Sequence, residues 1–251
     1  MKTLSICFLI LTNSLTYSQN TIVEGNSIAG KGLWSVNASG YSHCDALSIG
    51  LSTENKWFLT ELTHSIMVVA VPTDYGSVGI TLSTIGDQLL NKNELTLSLA
   101  MDFSSAFSIG LRTRYSLLQI DHQTKGWVEA DIGTQIHFSN AVSVAFQLVN
   151  PLGNREQSKA IEIGLAYWVS DKVDLMVSAK KETQLPTSLI LCLNYEVVKQ
   201  LILQGAVSNT AYFSHFAVAY KWKSLALEAI LSYHSYLGVG PRIGVSYTFQ
   251  K

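Results

Sequence analysis

The stretch KGWVEADIGTQIHF, Lys125 to Phe138, alternates strictly. Val128, Ala130, Ile132, Thr134, Ile136 and Phe138 fall on one side of an extended chain. Trp127, Glu129, Asp131, Gly133, Gln135 and His137 fall on the other. A period of two is that of a strand, whose successive side chains point to opposite faces. Which face meets water decides the fold. In a soluble sheet the greasy row is the core. In a membrane barrel it is the outside, and the charged row lines an interior.

The same alternation recurs in NELTLSLAMDF (93–103), FSIGLRTRY (107–115), IEIGLAYW (161–168) and RIGVSYTF (242–249). In all, fourteen runs carry it: 46–53, 63–71, 75–83, 92–103, 105–118, 125–138, 141–150, 158–168, 173–182, 187–195, 200–208, 211–222, 224–234 and 240–250. No helical period competes after the first twenty residues. Residues 46–251 shared among fourteen strands leave roughly fifteen residues for each strand and its turn, and a spanning strand needs about 9–11. The reading is all-β: an up-and-down antiparallel transmembrane barrel of about fourteen strands. Twelve is the alternative if the first hairpin belongs to an N-terminal plug. A closed barrel satisfies its backbone hydrogen bonds within the sheet, so it crosses a bilayer without helices.

One asymmetry supports the barrel. Six of the seven even-numbered runs end on outward aromatics: Phe103, Phe138, Tyr167, Tyr195, Trp222 and Phe249. Short turns follow them, as at 104–105 and 139–140, whereas the connections 84–91, 119–124 and 151–157 are longer. Aromatics on one rim, tight turns on that side and longer loops opposite are the pattern of an outer-membrane barrel with its N-terminus in the periplasm.

The chain has 251 residues, a net charge of -1 and 14% charged residues. Near-neutral charge without a Lys/Arg cluster leaves no footprint for nucleic acid. MKTLSICFLILTNSLTYSQN has a positive start at Lys2, an apolar run from Leu4 to Leu11 and small residues before Gln19. Residues 1–18 therefore read as a secretory signal peptide. Cys44 and Cys192 remain after it, which is no disulfide framework. Residues 19–45 lack alternation and are rich in small residues. They read as a plug or hatch folded into the barrel mouth, with a disordered periplasmic tail as the alternative.

The interior charges are the sharpest candidates. If 105–118 and 125–138 pair about a turn near 121–122, Arg114 opposes Glu129 and Arg112 opposes Asp131. Glu162 similarly opposes Lys180. Directly opposed residues have Cβ atoms about 4.5–5.5 Å apart, close enough for Arg–carboxylate ladders. Such a ladder serves either as a polar track for a solute or as structural filling of a narrow lumen. His137, His215, Lys221, Glu228 and His234 share the lumen without metal-ligand spacing, so neither metal nor cofactor is expected. Ser232 and His234 share a face, which leaves an outer-membrane lipase as a minor alternative to a non-enzymatic barrel. A soluble exported β-sandwich is another.

VAVPTDYGSVGITLSTIGDQLLNKNELTLSLAMDFSSAFSIGLRTRYSLLQI, VAFQLVNPLG and LSYHSYLGVGPRIGVSYTF together resemble the PorV/PorQ-type outer-membrane proteins of the wider FadL-like superfamily. The resemblance spans roughly residues 28–250. It implies a fourteen-stranded barrel with an N-terminal hatch, here with Lys31, Trp34, Asn37 and Ala38. The family's Asn-Pro-Ala hatch motif reads Asn37-Ala38-Ser39 in this chain, and the chain is shorter than typical members. The implied roles are accessory to type IX secretion, with secretion-machinery partners, or FadL-type transport of long-chain fatty acids or other hydrophobic small molecules. The expected location is the Gram-negative outer membrane, among its lipids. The transport reading also predicts an apolar pocket near Trp34 and Trp127.

Overall fold

A computed structural model describes residues 36–121, 123–153, 158–183, 185–209 and 214–249. The expected signal peptide, residues 1–18, and most of the expected plug segment, Lys31 and Trp34 included, lie outside the described residues.

Fourteen antiparallel strands close into one barrel. They are β1 (Ser48–Asn55), β2 (Thr63–Thr73), β3 (Gly76–Gly86), β4 (Leu90–Ser104), β5 (Phe107–Ile120), β6 (Gln123–Ser139), β7 (Val142–Val149), β8 (Ala160–Ser170), β9 (Val173–Glu182), β10 (Ser188–Val198), β11 (Leu201–Ser208), β12 (Ser214–Trp222), β13 (Leu225–His234) and β14 (Gly238–Thr248). Each strand pairs with its sequence neighbours, and β1 closes on β14 from Ser48↔Thr248 to Glu54↔Arg242. The first hairpin is part of the wall, which rules out the twelve-strand alternative.

The burial is inside out. On β6, Val128 is 59% exposed while Asp131 on the opposite face is 1% exposed. Leu95, Leu97, Leu99 and Met101 on β4, and Ile161, Ile163 and Leu165 on β8, are likewise exposed. Serines, glutamines and charged side chains turn inward and are buried: Ser98, Ser108, Arg112, Gln135, Gln147 and Glu162 among them. A protein that placed this much contiguous apolar surface in water would aggregate. Hydrocarbon is the solvent that suits it.

The two ends differ. Every connection from an even strand to the next odd one is a two-residue turn: 74–75, 105–106, 140–141, 171–172, 199–200 and 223–224. Three of them share one device. The Ser104, Ser139 and Ser170 hydroxyls each accept the backbone N–H two residues on, just after a local slip in register. A serine so placed mimics a backbone turn and fixes where the strand stops. Phe103, Phe138, Tyr167, Tyr195, Trp222 and Phe249 ring this tight-turn end and are exposed.

At the other end the connections run from two residues to ten. Two predicted loops are shorter than the sequence suggests. β3 continues to Gly86 and β4 begins at Leu90, so 84–91 contracts to 87–89. The Asp87 carboxylate makes this possible by accepting the Leu89 and Leu90 N–H groups at 2.9 and 3.0 Å. Similarly, 119–124 contracts to a turn at 121–122 because Gln119↔Thr124 and Ile120↔Gln123 extend the ladder.

Candidate functional site: the lumen

The β5–β6 register pairs Arg112 with Asp131 and Arg114 with Glu129, and the β8–β9 register pairs Glu162 with Lys180. The side chains do not all follow these rungs. Arg114 takes both carboxylates, Nη1 reaching Glu129 Oε2 at 3.1 Å and Nη2 reaching Asp131 Oδ2 at 3.4 Å. Its planar fork is suited to such a double contact. Asp131 Oδ1 also accepts the Asn150 N–H at 3.1 Å. Arg112, opposite Asp131 in the ladder, also reaches the N-terminal segment and β4. Its Nη1 donates to the Val36 carbonyl at 2.8 Å and its Nε to Ser98 Oγ at 3.4 Å.

Lys180 likewise pairs along its own strand, with Glu182 Oε1 at 2.6 Å. Lys92 does the same with Glu94 Oε1 at 2.8 Å. Glu94 also accepts hydroxyls from Ser116 at 2.9 Å and Ser83 at 3.3 Å, and Lys92 stands 5.7 Å over the Trp127 ring. Residues two apart on a strand share a face, so a long lysine chain finds an i+2 carboxylate as readily as a cross-strand one.

The opposite wall differs in chemistry. Ala145, Ala166, Met176, Cys192 and Ala206, on β7 to β11, form a buried apolar patch with Trp168 and Ile190 packed on it. Ala217, Ala219 and Ile230 extend this character onto β12 and β13, with Ile202 against them. A polar chain crosses it, in which Gln204 Nε2 donates to Asn194 Oδ1 and Asn194 Nδ2 to Asp174 Oδ2, both at 2.6 Å. The lumen wall is therefore mixed: charged along β4–β6, and along β7–β13 an apolar patch set among Glu162, Asp174, Lys180, Glu182 and Glu228. The sequence shows the small inward residues, but not that they sit side by side.

Residues 36–44 lie against the charged wall. Ala38–His43 form a short 3-10 helix capped by Asn37, whose Oδ1 accepts the Ser39 N–H at 3.0 Å. Asn37 Nδ2 donates to the Thr134 carbonyl at 3.1 Å, and Ser77 Oγ to the Cys44 carbonyl at 3.3 Å. Inward glycines make room. A Cβ on Gly133 would stand 1.8 Å from Asn37 Oδ1, and one on Gly110 2.2 Å from the Ala38 carbonyl carbon. On Gly79 the Tyr41 ring would be met at 2.9 Å. A trough is thus cut across β3, β5 and β6 for this segment. The glycines are visible in the sequence on the inward face, but nothing there says what lies over them.

Trp34, near which an apolar pocket is expected, lies outside the described residues, and Trp127 faces Lys92. A concavity of about 710 Å3 lies on the outward face over β13, β14 and β1–β5. Leu51, Met67, Leu82, Leu95, Tyr115 and Leu227 line it. Among the described residues no group of three or more His, Cys, Asp or Glu is placed to hold a metal ion. Ser232 faces His215 across the β12–β13 ladder, whereas His234 packs between Trp57 and Tyr236. Cys44 and Cys192 are buried free thiols.

No protein-family model matches the chain, and no curated relative matches it. Solved structures do. The toluene transporter TbuX of Ralstonia pickettii aligns with a TM-score of 0.66 at 8% identity, over 91% of this chain and 99% of that one. The chain has the fold of an outer-membrane β-barrel. TodX, the toluene transporter of Pseudomonas putida, aligns with a TM-score of 0.66 at 9% identity, over 90% and 96% of the two chains. The outer membrane protein Omp33 of Acinetobacter baumannii aligns with a TM-score of 0.57 at 6% identity, over 81% and 98%.

Proposed function

We propose that this chain is a non-enzymatic outer-membrane barrel that passes small, largely apolar solutes. The buried apolar patch of β7–β13 carries the reading. It offers such a solute a surface, while the ion pairs of β4–β6 stiffen the facing wall and the Lys180–Glu182 pair of β9 lies beside the patch. The same fold serves the toluene transporters TbuX and TodX. In this reading residues 1–18 direct export and the tight-turn end faces the periplasm. Residues 19–45 plug the lumen, held through Arg112 and the glycine trough. Arg112, Arg114, Glu129, Asp131, Glu162 and Lys180 are the charged framework rather than the solute track.

The FadL-type alternative accommodates these neighbours. The secretion-accessory role implied by the PorV/PorQ resemblance draws no support from them. Proteoliposomes carrying the mature chain test the proposal with toluene as probe. Toluene entry faster than through an unrelated barrel of similar size is expected. Equal entry removes the apolar-solute reading, and recovery of the chain in the soluble periplasmic fraction removes the membrane reading with it.

A further inference from the structure

A closed barrel is convex on its outside, so the concavity of about 710 Å3 over β13, β14 and β1–β5 is a departure. Its size falls within the roughly 300–1,000 Å3 of small-molecule sites. Two cross-strand rows line it. Leu51, Met67, Leu82 and Leu95 oppose one another in register from β1 to β4, and the row runs on through Val245 to Leu227 and, at its other end, to Tyr115. One step nearer the long-loop end, Thr53, Ser65, Thr84 and Asn93 oppose one another in the same register. Residues two apart on a strand share a face, so both rows point outward. All eight side chains from β1 to β4 are exposed.

The polar row sits at a telling depth. Asn93 stands ten residues along β4 from Phe103 of the tight-turn rim. At about 3.4 Å per residue and a strand tilt of about 40°, that is roughly 25 Å of height, the full apolar band of an outer-membrane barrel. Acyl chains give way there to their ester or amide necks. The row has hydrogen bonds to offer. The Thr53 and Ser65 hydroxyls stand 3.5 Å apart, at the outer limit of a bond. Asn93 Nδ2 donates to Asn91 Oδ1, which leaves a second N–H to donate and its own Oδ1 to accept. Among the described residues that line the concavity Glu94 alone is charged, and Lys92 and Ser116 hold its carboxylate on the lumen side.

Lipid tails are as apolar as leucine, so a tail gains no transfer energy on the wall. It gains contact, and a concave wall touches it on more than one side. Hydroxyl and carboxamide groups left against hydrocarbon cost free energy until a polar partner meets them. A lipid answers both demands at once. We propose that the concavity holds one membrane lipid, its tail on the Leu51–Leu95 row and its neck on Thr53, Ser65, Thr84 and Asn93, selected by shape and neck rather than by head-group charge. The proposal needs the barrel to stand in a membrane and is independent of what passes its lumen.

Native mass spectrometry of the mature barrel in detergent micelles tests it, with dioleoyl phosphatidylethanolamine and dioleoyl phosphatidylglycerol added separately. One retained lipid per barrel is expected with either head. Leu82→Trp, which fills the concavity, should abolish retention, whereas Ile163→Trp on the outward face of β8 should leave it unchanged. Thr84→Val with Asn93→Leu adds no bulk and should weaken binding about tenfold, as the loss of two hydrogen bonds implies. Heat-modifiable migration checks that each variant is a closed barrel, and the polar-row variant carries the test should Leu82→Trp fail to close. Retention unchanged in a closed groove variant overturns the proposal. So does a strong preference for one head group, or a mass of two barrels joined without lipid.

Discussion

Gly133 on β6 lies directly against the side chain of Asn37, so that a methyl group in place of its hydrogen would come within 1.8 Å of Asn37 Oδ1. Wall and N-terminal segment meet there with no space between them. Gly133→Leu should leave the barrel closed, since the added side chain points into the lumen, and should push residues 37–41 off the trough. Cys44, buried beside Tyr41 and Val68, reports it. Maleimide labelling of Cys44 rises in the variant while Cys192, buried on the far wall, stays protected. Protection of Cys44 equal to that of the native chain would show that the segment is not held at Gly133.

Arg114 is the side chain that pairs with both the buried Asp131 and the half-buried Glu129. Arg114→Met leaves Glu129 and Asp131 facing each other without that cation. Breaking a buried pair by removing one partner costs about 3–5 kcal/mol. Urea unfolding of the barrel in lipid vesicles should register a loss at the low end of that range, because Asp131 keeps the Asn150 N–H. Arg112→Met should cost less in barrel stability, since its guanidinium serves the Val36 carbonyl, and should instead expose Cys44.

Asp87 gives the β3–β4 turn a pH dependence. Hydrogen bonds from the Leu90 and Leu89 N–H groups hold its carboxyl below the usual carboxylate range. A depressed folded pKa stabilises the turn above the unfolded value of about 3.9 and is lost as pH falls through the folded one. Protection factors of the Leu89 and Leu90 amides should therefore hold at neutral pH and drop in acid. In Asp87→Ala they should be low throughout. A native turn indifferent to acid would remove the carboxylate from its account.

Leu99 and Ser98 are neighbours on β4 that face opposite worlds, Leu99 exposed and Ser98 buried. An arginine on the lipid face near the bilayer midplane costs about 2–4 kcal/mol. Leu99→Arg should show a penalty of that order in vesicles and none in a soluble, denaturant-refolded aggregate state. Leu99→Phe should be close to neutral. A neutral Leu99→Arg would mean that the outward row does not meet hydrocarbon.

Much of this was legible in the sequence, for reasons particular residues make plain. A strict period of two fixes both the strands and their faces, and a turn at 121–122 then sets every rung between β5 and β6, Arg114↔Glu129 included. What the period does not carry is where a flexible side chain goes. Lys180 had an opposed carboxylate in register and took one on its own strand, and Arg112 extends past its rung to the Val36 carbonyl of the N-terminal segment. Residues 56–62, between β1 and β2, were opaque for a different reason. Trp57 and Phe58 are poor candidates for left-handed backbone, so local propensity hides the positive φ that both adopt. Asn37 lay between these cases: a capping residue by type, but with its second contact, Thr134, far away in sequence.

The outward rows rest on a fluid that takes the shape of whatever it touches. Leucine, valine, phenylalanine and methionine are nearly interchangeable there, and drift among them leaves the architecture untouched. Shape matters where the wall meets something solid, as beneath residues 37–41. Two such chains can part company at more than nine positions in ten and still close the same barrel, as this one and TbuX do.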